Sequence, residues 1–141
     1  MCTCDRCKGM CRSPCLPSPD ELKRLMDLGY GEFMMLNYHE MQDKAGHWYR
    51  VWIPCPANDG FEGKEAPWMP SLEKKGCVLQ NKNGLCELHH VCKPIEAREA
   101  TCTGSNDGLR ERVARMWDNP QAQSLARIWK KKYSTDFHKE D

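Results

Sequence analysis

The sequence predicts an α+β fold: a small, irregular, cysteine-rich, metal-stabilised domain with a short β-hairpin and C-terminal helices. Three observations carry this. Ten of the 141 residues are Cys, near the level at which a short chain is stapled by disulfides or metal. Stretches in the first two thirds alternate at the period of a strand. Beyond Cys102 the cysteines stop and a helical period takes over.

At roughly 100–200 residues per domain, the chain 1–141 is one domain. Within it lie an N-terminal cysteine cluster at 1–17, a second cysteine group at 76–102 and a helical part at 106–133. Lys plus Arg number 21 against 20 acidic residues, a formal charge of +1. That excludes a protein whose whole surface grips phosphates. Hydrophobic residues make up 40% with Cys included, and mean hydropathy is −0.77, so the core is marginal for so small a chain. No run nears the roughly 18 apolar residues of a membrane span, and no membrane partner is expected. The start, Met1-Cys2-Thr3-Cys4, lacks the apolar stretch of a signal peptide. The expectation is a cytoplasmic protein with reduced thiols, for which metal explains the cysteines better than disulfides do.

Taken in order, Ser18-Pro19-Asp20-Glu21 is a helix start, with Ser18 as cap, Pro19 at the first position and Glu21 completing a capping box. Leu22, Leu25 and Met26 supply a buried stripe, and Gly29 is a C-terminal stop. Residues 33–41 and 47–54 read as extended segments around a polar turn at 42–46, with Trp48, Tyr49, Val51, Trp52 and Ile53 at strand period. Residues 56–76 carry Pro and Gly without period and read as a long loop. Asn81-Lys82-Asn83-Gly84 reads as the turn of a hairpin over 77–88 that puts Cys77 and Cys86 on one face. A slip of one residue would separate them. Asn106 or Asp107 is expected to cap a helix with Leu109, Val113, Met116 and Trp117 inward. Asn119-Pro120 then starts a second helix with Leu125, Ile128 and Trp129 inward and a basic last turn. Arg110, Arg112, Arg115 and Arg127 read as a solvated face.

The chemistry lies in the thiols. Cys4, Cys7, Cys11 and Cys15 crowd the first fifteen residues together with Cys2. Cys4-x2-Cys7 lets two thiolates reach one metal in a tetrahedral zinc site, and iron–sulfur clusters use similar spacings. Buried structural cysteine is the bland alternative, but a stretch so rich in Lys, Arg, Gly and Pro makes poor core. Cys77, Cys86, Cys92 and Cys102 lack a tight knuckle, and the hairpin is what draws the first two together. Two thiolates do not complete a tetrahedron, whereas five in fifteen residues exceed one, so a shared assembly balances the count. His89 suits packing or hydrogen bonding near the site better than ligation. Cys55, between Pro54 and Pro56, fits either a ligand or a packed thiol. His39, His47, His90 and His138 have no partner at diagnostic spacing.

Gly76-Cys77-Val78-Leu79, Gly84-Leu85-Cys86-Glu87-Leu88-His89 and Lys93-Pro94-Ile95-Glu96-Ala97-Arg98 resemble segments of the YkgJ-like cysteine-cluster family, named for a CxxCxxCC motif. Pro14-Cys15-Leu16-Pro17-Ser18-Pro19 and Met116-Trp117-Asp118-Asn119-Pro120 are similar to its opening and its C-terminal helices. The resemblance spans most of the chain, with 30–75 the least diagnostic part, and implies chelation of zinc or iron. The adjacent Cys-Cys pair is replaced by Cys7-x3-Cys11, and one family cysteine falls on Ala97, which leaves Cys92 or Cys102 to substitute. A related cysteine module in a flagellin lysine methylase implies that iron–sulfur chemistry suits such a frame.

The expected function is therefore metal chelation, with zinc as cofactor and iron or an iron–sulfur cluster as the alternative. Two rivals stand beside it: a nucleic-acid-binding zinc module using the basic C-terminal helices, which the overall charge of +1 disfavours although a local patch can suffice, and an iron–sulfur redox protein. No phosphate loop or nucleophile–base motif is recognisable, so catalysis is left open.

Overall fold

The computed structural model describes residues 15–57, 60–65, 78–79, 95 and 108–134. Among these residues the architecture is α+β, with a two-stranded antiparallel sheet and three helices: α1 (Pro19–Asp27), β1 (Met34–Gln42), β2 (Trp48–Pro56), α2 (Leu109–Trp117) and α3 (Pro120–Tyr133). The hairpin expected at 77–88 lies outside the described residues except for Val78 and Leu79.

Helix α1 begins as its sequence dictates. Ser18 Oγ accepts from the Glu21 N–H at 3.2 Å, and Glu21 Oε1 accepts from the Ser18 N–H at 2.9 Å, the reciprocal capping box. At the other end Gly29 takes φ +94°. Its N–H reaches the Met26 carbonyl, and the Tyr30 N–H reaches that of Leu25. This double closure needs a left-handed residue, which is why a glycine stands there. Leu22 and Leu25 face the core. A short 3-10 turn, Gly31–Phe33, then feeds β1, so the strand starts one residue later than expected.

The strands pair from Met34↔Pro56 to Gln42↔Trp48. Only the end near Met34 and Pro56 is buried; the tip around 42–50 projects into solvent. Both edges of the buried end are covered. On the β1 side, the Leu36 N–H donates to the Lys64 carbonyl and the Gly63 N–H to that of Met34. Part of the stretch read as a long loop thus works as an edge cover. On the β2 side, Gln123 of α3 accepts from the Trp52 N–H (3.1 Å) and donates to the Trp52 carbonyl (3.0 Å) and the Trp117 carbonyl (2.8 Å). The Trp52 N–H therefore points away from β1. By the alternation of antiparallel pairing, the nitrogens of Pro54 and Pro56 point the same way. Neither proline interrupts the ladder, which is how both are tolerated within a strand.

Gln123→Ala would leave the Trp52 N–H and the Trp52 carbonyl without this partner in a half-buried corner, while the Trp117 carbonyl keeps the Asn119 N–H. It is expected to lower the unfolding free energy by about 1–3 kcal/mol, measured as a lower urea midpoint at unchanged slope.

The C-terminal helices bury Leu109, Val113, Trp117 and Trp129 as expected and correct the sequence reading at Met116, at Ile128 and in the cap of α2. Helix α2 starts after Gly108, at φ +76° and with no side-chain cap bond, rather than under an Asn106 or Asp107 cap. Its inward residues are Leu109, Val113, Ala114 and Trp117, while Met116 is 36% exposed. Helix α3 is capped by Asn119, whose side chain accepts from the Ala122 N–H at 2.8 Å, with Pro120 at its first position. Its buried row is Ala122, Ala126 and Trp129, with Leu125 partly buried and Ile128 54% exposed. Alanines, not the larger apolar residues, let these helices approach their neighbours. A stripe drawn through the bulkiest residues finds Leu109, Val113, Trp117 and Trp129 but misses Ala114, Ala122 and Ala126.

The two ends of the described structure are tied by indoles. The fully buried Trp117 donates through Nε1 to the Pro17 carbonyl (2.8 Å), and Trp129 donates to that of Gly31 (3.0 Å). The Tyr133 ring lies so close to Gly31 that a Cβ there would overlap it. The shared core joins Leu16, Leu22, Leu25, Met35, Ile53, Cys55, Leu79, Val113 and both indoles. No helix among the described residues is long and apolar enough to cross a membrane.

Candidate metal centre

Of the eight expected ligands, the described residues include one, Cys15. It lies half-buried immediately before Leu16, which is fully buried, and Pro17, whose carbonyl receives the Trp117 indole. The segment that ends the first cysteine cluster is thus held to the core on both its apolar and its polar side. Cys4, Cys7, Cys11, Cys77, Cys86, Cys92 and Cys102 lie outside the described residues, as do Cys2 and His89.

Cys55 is wholly buried on β2, opposite Met35, in the surroundings of a small hydrophobe. Among the described residues no three His, Cys, Asp or Glu side chains gather as a metal site. Cys15 and Cys55 alone do not supply the donors a tetrahedral ion requires.

Two hydrogen bonds bring the second cysteine group's flanks to this frame. The Val78 N–H donates to the Ala57 carbonyl at 2.9 Å, which fixes the neighbour of Cys77 at the end of the strand that holds Cys55. The Ile95 N–H donates to Glu21 Oε1 at 2.9 Å across 74 residues. The carboxylate that caps α1 therefore also holds Ile95, three residues beyond Cys92 in the sequence. Sequence reasoning identified Glu21 as a cap but had no signal for this second role, because the bond is long-range and made to a backbone group.

His39 stands apart from the thiols. Burial holds its imidazole below the ordinary value, and Arg110 pushes the same way, against a smaller opposing effect of Glu111. Its Nδ1 is buried without a hydrogen-bond partner among the described residues. It is a half-buried side chain on the α2 side of the sheet.

The feature missed in the sequence is a cation–aromatic cluster on the opposite sheet face. Tyr38 and Trp52 meet edge to face at 5.4 Å, Arg50 lies 4.3 Å over the Tyr38 ring, and Lys130 lies 5.8 Å from the Trp52 centroid. The alternation Trp48, Arg50, Trp52 was its available signal.

No family model, curated protein or solved structure matches this chain.

Proposed function

We propose that this protein chelates a metal ion through thiolates of its two cysteine groups. Zinc is the first choice and iron or an iron–sulfur cluster the alternative. The observation that carries this reading is the pair of bonds from Val78 to Ala57 and from Ile95 to Glu21. Through them Val78 and Ile95, one and three residues from Cys77 and Cys92 in the sequence, are held on the same body that carries Cys15, which supports a reading in which both cysteine groups serve one metal. The resemblance of the cysteine-bearing segments to the YkgJ-like family supports the same chemistry. Closing long loops through a shared metal also constrains the unfolded chain, which favours one joint assembly over two separate sites.

The direct test is metal analysis with an absorbance spectrum on full-length protein purified anaerobically. A colourless sample with stoichiometric zinc supports the first choice, and sulfur-to-iron charge-transfer bands support the alternative. A folded protein without bound metal overturns the proposal.

A finer division follows from Cys55. Cys55→Ser is expected to keep its metal while losing about 1–3 kcal/mol of stability, because a hydroxyl replaces a thiol in the core. Cys86→Ser is expected to lose metal. Equal metal content in the two purified variants would refute the division.

A further inference from the structure

We infer that the face of the hairpin carrying Trp48, Arg50 and Trp52, together with the adjoining side of α3, binds single-stranded nucleic acid. The strand register puts Tyr38, Trp48, Arg50 and Trp52 on one face, and they form a strip in which aromatic and cationic groups alternate. Trp48 is 65% exposed at the outer end, where a two-stranded tip has no packing reason to hold an indole. Further in, Arg50 covers the Tyr38 ring, and Lys130 approaches Trp52 from α3. Beside Trp52 opens a recess of about 220 Å³, walled by Leu36, Trp52 and Ala126 and rimmed by Gln123, Arg127 and Lys130. No carboxylate among the described residues lines it. The single carboxylate on this face of the hairpin is Glu40, opposite Arg50.

A flat apolar wall between two cations suits a heteroaromatic ring that carries an anion on its linker. Stacking platforms alternating with phosphate-pairing cations are how proteins hold single strands without reading sequence. Here the bases would stack on Trp48 and against Trp52, and the phosphates would meet Arg50, Arg127 and Lys130. A duplex keeps its bases paired and offers no ring to these surfaces. An acidic peptide would satisfy the cations but leave the indoles without a partner. The formal charge of +1 does not oppose a patch this local.

The test is fluorescence anisotropy of full-length protein with a labelled twelve-nucleotide oligothymidylate. Three phosphate contacts predict a salt slope near −2, or about 20-fold weaker binding between 50 and 200 mM salt. Trp48→Ala, at an exposed position, is expected to weaken binding by about 5- to 150-fold, the range for one stacked base. Arg127→Gln should lower the salt slope by about 0.7, and unchanged circular dichroism will show that both variants are folded. Binding that is equally tight to a duplex of the same length would overturn the inference. So would equal competition by polyglutamate, or an unchanged affinity in folded Trp48→Ala.

Discussion

Trp117→Ala is expected to remove about 3–5 kcal/mol of stability by cavity formation alone, a large share of the 5–15 kcal/mol typical of a whole domain. Trp117 is fully buried where α2 meets the segment carrying Cys15, and its indole satisfies the Pro17 carbonyl. The alanine variant therefore loses the packing and also leaves that carbonyl in a cavity. Trp117→Phe separates the two effects, since it keeps most of the ring and removes the donor. It is expected to cost less than the alanine variant, with about 1–3 kcal/mol of its loss due to the hydrogen bond. Urea unfolding of both variants measures the difference, and equal midpoints would show that the hydrogen bond dominates.

A strong chelator at neutral pH is expected to abolish the cooperative thermal transition. On the proposed reading, thiolates from both cysteine groups meet at one metal, and structural zinc contributes roughly 10–16 kcal/mol in small modules, more than the net stability of most domains. Calorimetry before and after metal removal measures this, with metal content checked in each sample. An unchanged melting profile in demonstrably metal-free protein would refute a structural metal. Removing residues 1–15 probes the same idea without a chelator. The truncated chain is expected to lose metal binding and cooperative unfolding together.

What could be read in the sequence was local chemistry. The capping box at Ser18 and Glu21, the stop at Gly29 and the Asn119-Pro120 restart each involve residues within one helical turn, and all three stand in the structure. The first hairpin was legible because its strands alternate around a polar turn. Leu109, Val113, Trp117 and Trp129 were legible as inward, whereas the exposure of Met116 and Ile128 was not, since the inward Ala114, Ala122 and Ala126 are nearly silent in a hydrophobic pattern. The covers of the sheet edges by Gln123 and by residues 63–65 were also hidden, because they join side chain or loop to backbone across long stretches of sequence. The candidate centre divides the same way. Cysteine spacing was visible, whereas the attachment of Ile95 to Glu21 and of Val78 to Ala57 depends on tertiary closure.

The indole ties have a consequence for how the chain is made. Trp117 and Pro17 are 100 residues apart, and Trp129 and Gly31 are 98 apart. During synthesis, α1 and the first hairpin leave the ribosome long before the helices that cover them. At about 5–20 residues per second, the delay is roughly 5–20 s. Throughout it Leu22, Leu25 and Ile53, all buried in the finished molecule, face water or a chaperone. Native closure must wait for α2 and α3, so a nascent chain paused before residue 109 should be sensitive to protease, and one released after residue 133 should become resistant.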